Sequence, residues 1–101
     1  MGETFKARLW VDESAVDLDP FVEQILASTV AGAVKSLKGT DDMRSVELHV
    51  EQGEVGISVN GREIPLTPFP NDIIAHALTG FVSALKGVGK PVAFKIIMES
   101  P

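Results

Sequence analysis

The chain has no cysteine. That excludes disulfides, thiolate metal sites and a cysteine nucleophile, and it is compatible with a reducing cytoplasm. No apolar run reaches the roughly 18 residues that a membrane helix needs, so no transmembrane span is expected. The opening residues MGETFKARLW lack the apolar centre of a secretory leader. Lys6 stands where a myristoylation motif needs Ser or Thr. A cytoplasmic location is the expectation. Basic residues are in the minority, nine Lys and Arg against 14 Asp and Glu, for a net charge of −5. Such a chain is repelled by nucleic acid and by anionic membranes unless a basic patch is segregated on it, and no run of like charge stands out. A Gly-rich phosphate loop is missing, and Ser, Thr and His form no recognisable catalytic triad.

What is present is a repeat. Val59 to Gly87 restates Val11 to Gly39 without a gap. Between Glu3/Glu51 and Gly39/Gly87, twelve of 37 pairs are identical, against about two for unrelated chains of ordinary composition. They include Leu18/Leu66, Pro20/Pro68, Phe21/Phe69, Ile25/Ile73 and Gly32/Gly80. A solenoid needs three or more units to be stable. Two copies in 101 residues therefore imply one domain made of two halves, about 3–50 and 51–98, around one core.

Each half reads the same way. Phe5, Ala7, Leu9 and Val11 alternate with Lys6, Arg8 and Trp10, the pattern of a half-buried strand. Asp19-Pro20 opens a helix, with Asp19 as N-cap and Pro20 where a missing N–H costs nothing. The helix is expected to end near Leu37, with Gly39 as its stop. Val46, Leu48 and Val50 mark a second strand, and Gln52-Gly53 turns into a third that buries Val55, Ile57 and Val59. Asn60-Gly61 is a strong hairpin signal, so a short return strand follows. Thr67-Pro68 opens a second helix that runs to Leu85 and stops at Gly87. The last strand turns Phe94, Ile96 and Met98 inward.

The expected fold is α+β: a ferredoxin-like βαββαβ sandwich, with a four-stranded antiparallel sheet of order 4-1-3-2 and both helices on one face. The main rival is a pair of ββαβ units in which the returns at Val16 and Ile64 are full strands. On both helices the apolar arc is about twice the width a surface helix needs. Val22, Leu26, Val30 and Val34, with Ile74, Leu78 and Val82, are assigned to the sheet. The neighbouring stripes, Phe21, Ile25, Thr29 and Gly32 with Phe69, Ile73, Ala77 and Gly80, are assigned to a close helix–helix contact in which the glycines meet.

Markers of ferredoxin-like families with known chemistry are missing. There is no Cys-x-x-Cys metal loop, and the loop after the first strand is acidic, Asp12-Glu13-Ser14, where an acylphosphatase-like phosphate site needs Gly and Arg. Glu47, His49 and Glu51 alternate along one strand face, a spacing that suits a metal, but alternation yields such triplets often; no metal and no cofactor is assigned. Arg62 and Thr67 lie near the start of the second helix, where N–H groups favour an anion, and with His76 they form a candidate ligand site. Pro68 and Pro70 remove two donors from it. The open sheet face is expected to present Lys6, Arg8, Trp10, His49, Ser58, Lys95 and Ile97. A Trp among basic residues resembles the stacking platform of RNA-recognition domains, yet one aromatic on an acidic chain argues against nucleic acid. The reading favours a small non-enzymatic binding or assembly domain that forms a homodimer, or meets another protein, through this face.

Overall fold

The computed structural model describes residues 5–37, 43–85 and 93–100. The element order is β1 (Lys6–Val11), β2 (Ser14–Val16), α1 (Pro20–Lys35), β3 (Ser45–Glu51), β4 (Glu54–Val59), β5 (Arg62–Ile64), α2 (Pro68–Ser83) and β6 (Ala93–Glu99). These are two ββαβ units. The expected four-stranded ferredoxin-like sheet is not what forms: the sheet has six strands, all neighbours antiparallel, in the order β2-β1-β6-β3-β4-β5.

The hairpin turns explain the correction. Asp12 and Glu13 have φ of 47° and 73°, and Asn60 and Gly61 have 52° and 82°. Two successive residues at positive φ make the tight turn whose twist matches flanking strands. Each turn sends a three-residue return strand back along the strand before it, pairing Leu9 with Val16 and Ile57 with Ile64. One edge of β1 is thus taken by β2, and one edge of β4 by β5. A 4-1-3-2 sheet would need both edges of the first strand. The central places go instead to β3 and β6, the strands with both edges free.

The register carries the repeat through the whole sheet. In the β3–β6 ladder Leu48 lies opposite Ile96, its own counterpart in the other copy. Val46↔Met98 and Val50↔Phe94 exchange when the two copies are swapped, as do Ala7↔Met98 and Val55↔Val50. A pseudo-two-fold normal to the sheet therefore passes between Leu48 and Ile96. It places α1 and α2 on one face of the sheet, running antiparallel.

That face holds the core. Leu9, Leu48, Ile57, Ile96 and Met98 from the strands are buried against Leu26, Val30 and Val34 of α1 and Leu78 and Val82 of α2. Asp19 caps α1 as expected, its Oδ1 accepting the Val22 N–H at 2.9 Å, whereas Thr67 makes no such bond on α2. The proposed stops Gly39 and Gly87 lie outside the described residues.

The expected glycine contact is absent. Gly32 and Gly80 are exposed, and a Cβ at either would meet nothing within 4 Å. At 100° per residue, the buried arc of α1 extends from the Leu26 stripe towards Ala27 and Ala31, and that of α2 towards Ala75. Both helices are rolled away from the glycine stripe, which faces out.

Candidate functional site

Two broad surfaces of a body measuring 35 × 33 × 19 Å are left uncovered by the described residues. One is the open face of the sheet. Alternation along β1, β3, β4 and β6 puts every expected face residue there: Lys6, Arg8, Trp10, His49, Ser58, Lys95 and Ile97.

The register aligns them in two rows. Trp10, Lys95, His49 and Gly56 lie side by side across β1, β6, β3 and β4. The row related to it by the pseudo-two-fold is Ser58, Glu47, Ile97 and Arg8. The backbones match and the side chains do not. In the first row the Lys95 Nζ sits 4.9 Å from the Trp10 ring centre, and the Arg8 guanidinium carbon 5.8 Å from it. Cations over an indole face attract it by about 0.5–1 kcal/mol at exposed sites. Arg8 Nη2 also approaches Glu99 Oε1 at 3.6 Å. His49 lies over Gly56, so closely that a Cβ at position 56 would collide with the imidazole.

At the Trp10 end of this row a hollow of about 550 Å³ is lined by Trp10, Asp12, Glu13, His49, Glu51 and Lys95 together with Val50, Ala93 and Phe94. Its charges are mixed. The face as a whole is polarised: Lys6, Arg8 and Lys95, with the single acid Glu99, lie on β1 and β6, and Glu47, Glu51, Glu54 and Glu63 on β3, β4 and β5.

The ligand residues expected at the start of α2 are scattered. Arg62 begins β5, exposed at the hairpin. Thr67 is the exposed N-cap, and His76 is exposed nine residues further on, about 13 Å along the axis at 1.5 Å per residue. A hollow of about 350 Å³ at that helix start is lined by Gln52, Gly53, Glu54, Leu66, Pro68, Asn71 and Asp72. Its two charged residues are acidic, which opposes an anion. Among the described residues no three His, Asp or Glu side chains gather as a metal site, so the Glu47, His49, Glu51 alternation does not converge. No helix among the described residues is long and apolar enough to cross a membrane.

The second uncovered surface is the outer side of the helix layer, where the sequence pattern implies an interior contact. Phe21 is 72% exposed, Phe69 74%, Ile73 51% and Ile25 39%. The signal was the excess width of the apolar arc; what it could not reveal was which part of the arc met the sheet.

The chain matches no known family model, no curated protein and no solved structure.

Proposed function

We propose that the protein is a non-enzymatic binding and assembly domain that uses the open face of its sheet to meet a second protein surface, and that a second copy of the chain is such a surface. The observation that supports this is the polarised face. Two sheets laid face to face about a two-fold parallel to the strands bring β1 over β4 and β6 over β3. Lys6 and Arg8 of one copy then lie towards Glu47 and Glu63 of the other, and Lys95 between its Glu47 and Glu51. Complementary charge of this kind fixes orientation and partner choice more than it adds affinity. The small Ser58 lets the half-buried Trp10 and Ile97 approach closely, while His49 fills the space over Gly56.

Stacking of a nucleic-acid base is the weaker reading. The Trp10 ring already carries Lys95 and Arg8, and five glutamates share the face. The absence of cysteine agrees with work in a reducing cytoplasm, where we place it.

Sedimentation at low salt tests the proposal. Association through the sheet is expected to weaken with salt, and to fall in Trp10→Ala and in Lys95→Glu. It should recover in part when Lys95→Glu is mixed with Glu47→Lys. Association indifferent to all of these rules the sheet out.

A further inference from the structure

We infer that the outer face of the helix layer is a self-association surface, on which the helices of a second copy lie antiparallel to those of the first. This goes beyond the sheet reading and uses the opposite side of the molecule, so both contacts can be made at once.

The first observation is exposure in duplicate. Phe21, Ile25, Phe69 and Ile73 are the exposed large apolar residues among those described. They form two of the identical pairs of the repeat, Phe21/Phe69 and Ile25/Ile73. The core does not need them, yet both halves have them.

The second is charge. Each helix is 16 residues long, and across the pair only Glu23, Lys35 and Asp72 are Asp, Glu, Lys or Arg, with His76 the one further basic residue, whereas Asp, Glu, Lys and Arg make up 23% of the whole chain. Solvated helix faces carry charge, while the centres of protein contacts are depleted in it and enriched in Phe.

The third is shape. Phe21 and Gly32 are eleven residues apart, three turns, and so share one stripe about 16 Å apart along the axis. Phe69 and Gly80 repeat the spacing. Each stripe is bulky at its N-terminal end and small at its C-terminal end, where Gly32 and Ser36, or Gly80 and Ala84, stand. Because α1 and α2 run antiparallel, a two-fold in the plane of the layer, whether along or across the helices, sets facing helices antiparallel. Either arrangement brings the Phe of one copy over the Gly of the other. The open space above Gly32 and Gly80 is then the seat of a ring, and the surface supplies both its own knobs and its own holes. That favours a second copy over an unrelated protein.

The area suffices. The two Phe side chains present about 300 Å² of apolar surface between them. Two helices of 16 residues lying side by side have a footprint of roughly 24 Å by 20 Å. That is the scale of the ~800 Å² of accessible surface that a stable contact takes from each partner.

The experiment is sedimentation equilibrium at about 1 M salt, where the Debye length of ~3 Å weakens the sheet contact and leaves the apolar one, with Trp10→Ala, Lys95→Glu run beside the wild type to remove what is left of the sheet contact. The wild-type chain is expected at twice its 10.8 kDa mass. Phe21→Asp with Phe69→Asp should give single chains with an unchanged circular dichroism spectrum. Gly32→Leu with Gly80→Leu should weaken pairing at least tenfold while raising the melting temperature of the single chain, since leucine favours helix and nothing obstructs it. A general loss of stability cannot produce those opposite signs. A wild-type chain that stays single at high salt, including one that binds lipid vesicles instead, overturns the inference, as does a pair that survives both double variants. At low salt, the Phe21→Asp, Phe69→Asp chain still pairs if the sheet reading holds. The two readings therefore fail separately.

Discussion

Glu23 Oε2 accepts the backbone N–H of Ala7 at 2.9 Å. Asn71 Oδ1 accepts that of Val55 at the same distance, and these two residues are the counterparts of the first pair in the other half. The return strands β2 and β5 reach only Leu9 and Ile57. They leave the N–H two residues earlier without a strand partner, and the first turn of each helix supplies an acceptor. Different side chains do the same work in the two halves.

The cost of losing that acceptor should therefore be similar in both. Glu23→Leu and Asn71→Leu are each expected to lower stability by about 1–3 kcal/mol, the cost of a partly buried donor left unpaired. Glu23→Gln keeps an acceptor and should cost far less. Urea unfolding of the three variants measures this, and equal losses for Glu23→Leu and Glu23→Gln would show that the bond contributes little.

Glu13 stands at φ 73°, where the second hairpin has Gly61 at 82°. A side chain in the left-handed region costs roughly 1 kcal/mol that glycine does not incur. Glu13→Gly should raise stability by about that amount, and Gly61→Glu should lower it to a similar degree. Thermal melting of both decides, and the two shifts should have opposite signs.

His49 resting on Gly56 predicts a coupling. Gly56→Ala would ordinarily strengthen a strand, but here the methyl must displace the imidazole. In a double-mutant cycle, Gly56→Ala should be worth about 0.5–1 kcal/mol more in the His49→Ala background than in the wild type. A coupling near zero would mean that the ring leaves its seat freely.

Lys6 pairs with Glu99 as Glu54 pairs with Glu51, and the Gln52-Gly53 turn joins the latter two. A permuted chain that starts at Gly53, ends at Gln52 and joins Glu99 to Lys6 through an added Gln-Gly is expected to fold. Its stability should fall by about 3–5 kcal/mol, because the joint omits the buried Phe5, while loop closure itself changes little. Loss of the cooperative transition would show that the two halves are less interchangeable than the ladder register implies.

Much of the fold was legible in the residues. Alternation assigned the inward faces of β1, β3, β4 and β6, because a half-buried strand must place every second side chain in the core. The Asp19-Pro20 and Thr67-Pro68 starts marked both helices. Asn60-Gly61 announced the second return as a short strand, but both returns had full places in the sheet only in the rival reading: three residues are too few for a period, and Asp12-Glu13 contains no glycine to announce the left-handed turn that it makes. Once those returns occupied the outer edges of β1 and β4, the strand order followed.

The candidate surfaces divide in the same way. Trp10, Lys95 and His49 could be placed on the open face from alternation, but their meeting in one row depends on which strands are neighbours, a fact of long-range pairing. The helix stripes were equally plain as apolar arcs. An arc wider than the sheet can cover does not say which part stays outside, because helix roll is set by how side chains pack on strands from the other end of the chain. Local sequence determined the elements, the helix starts and the two-fold repetition, since caps, turns and periods act over a few residues. Only tertiary packing decided that six strands share the sheet, that Gly32 and Gly80 face outward, and that Phe21 and Phe69 are left uncovered, because each depends on competition for edges and core volume that no short stretch contains.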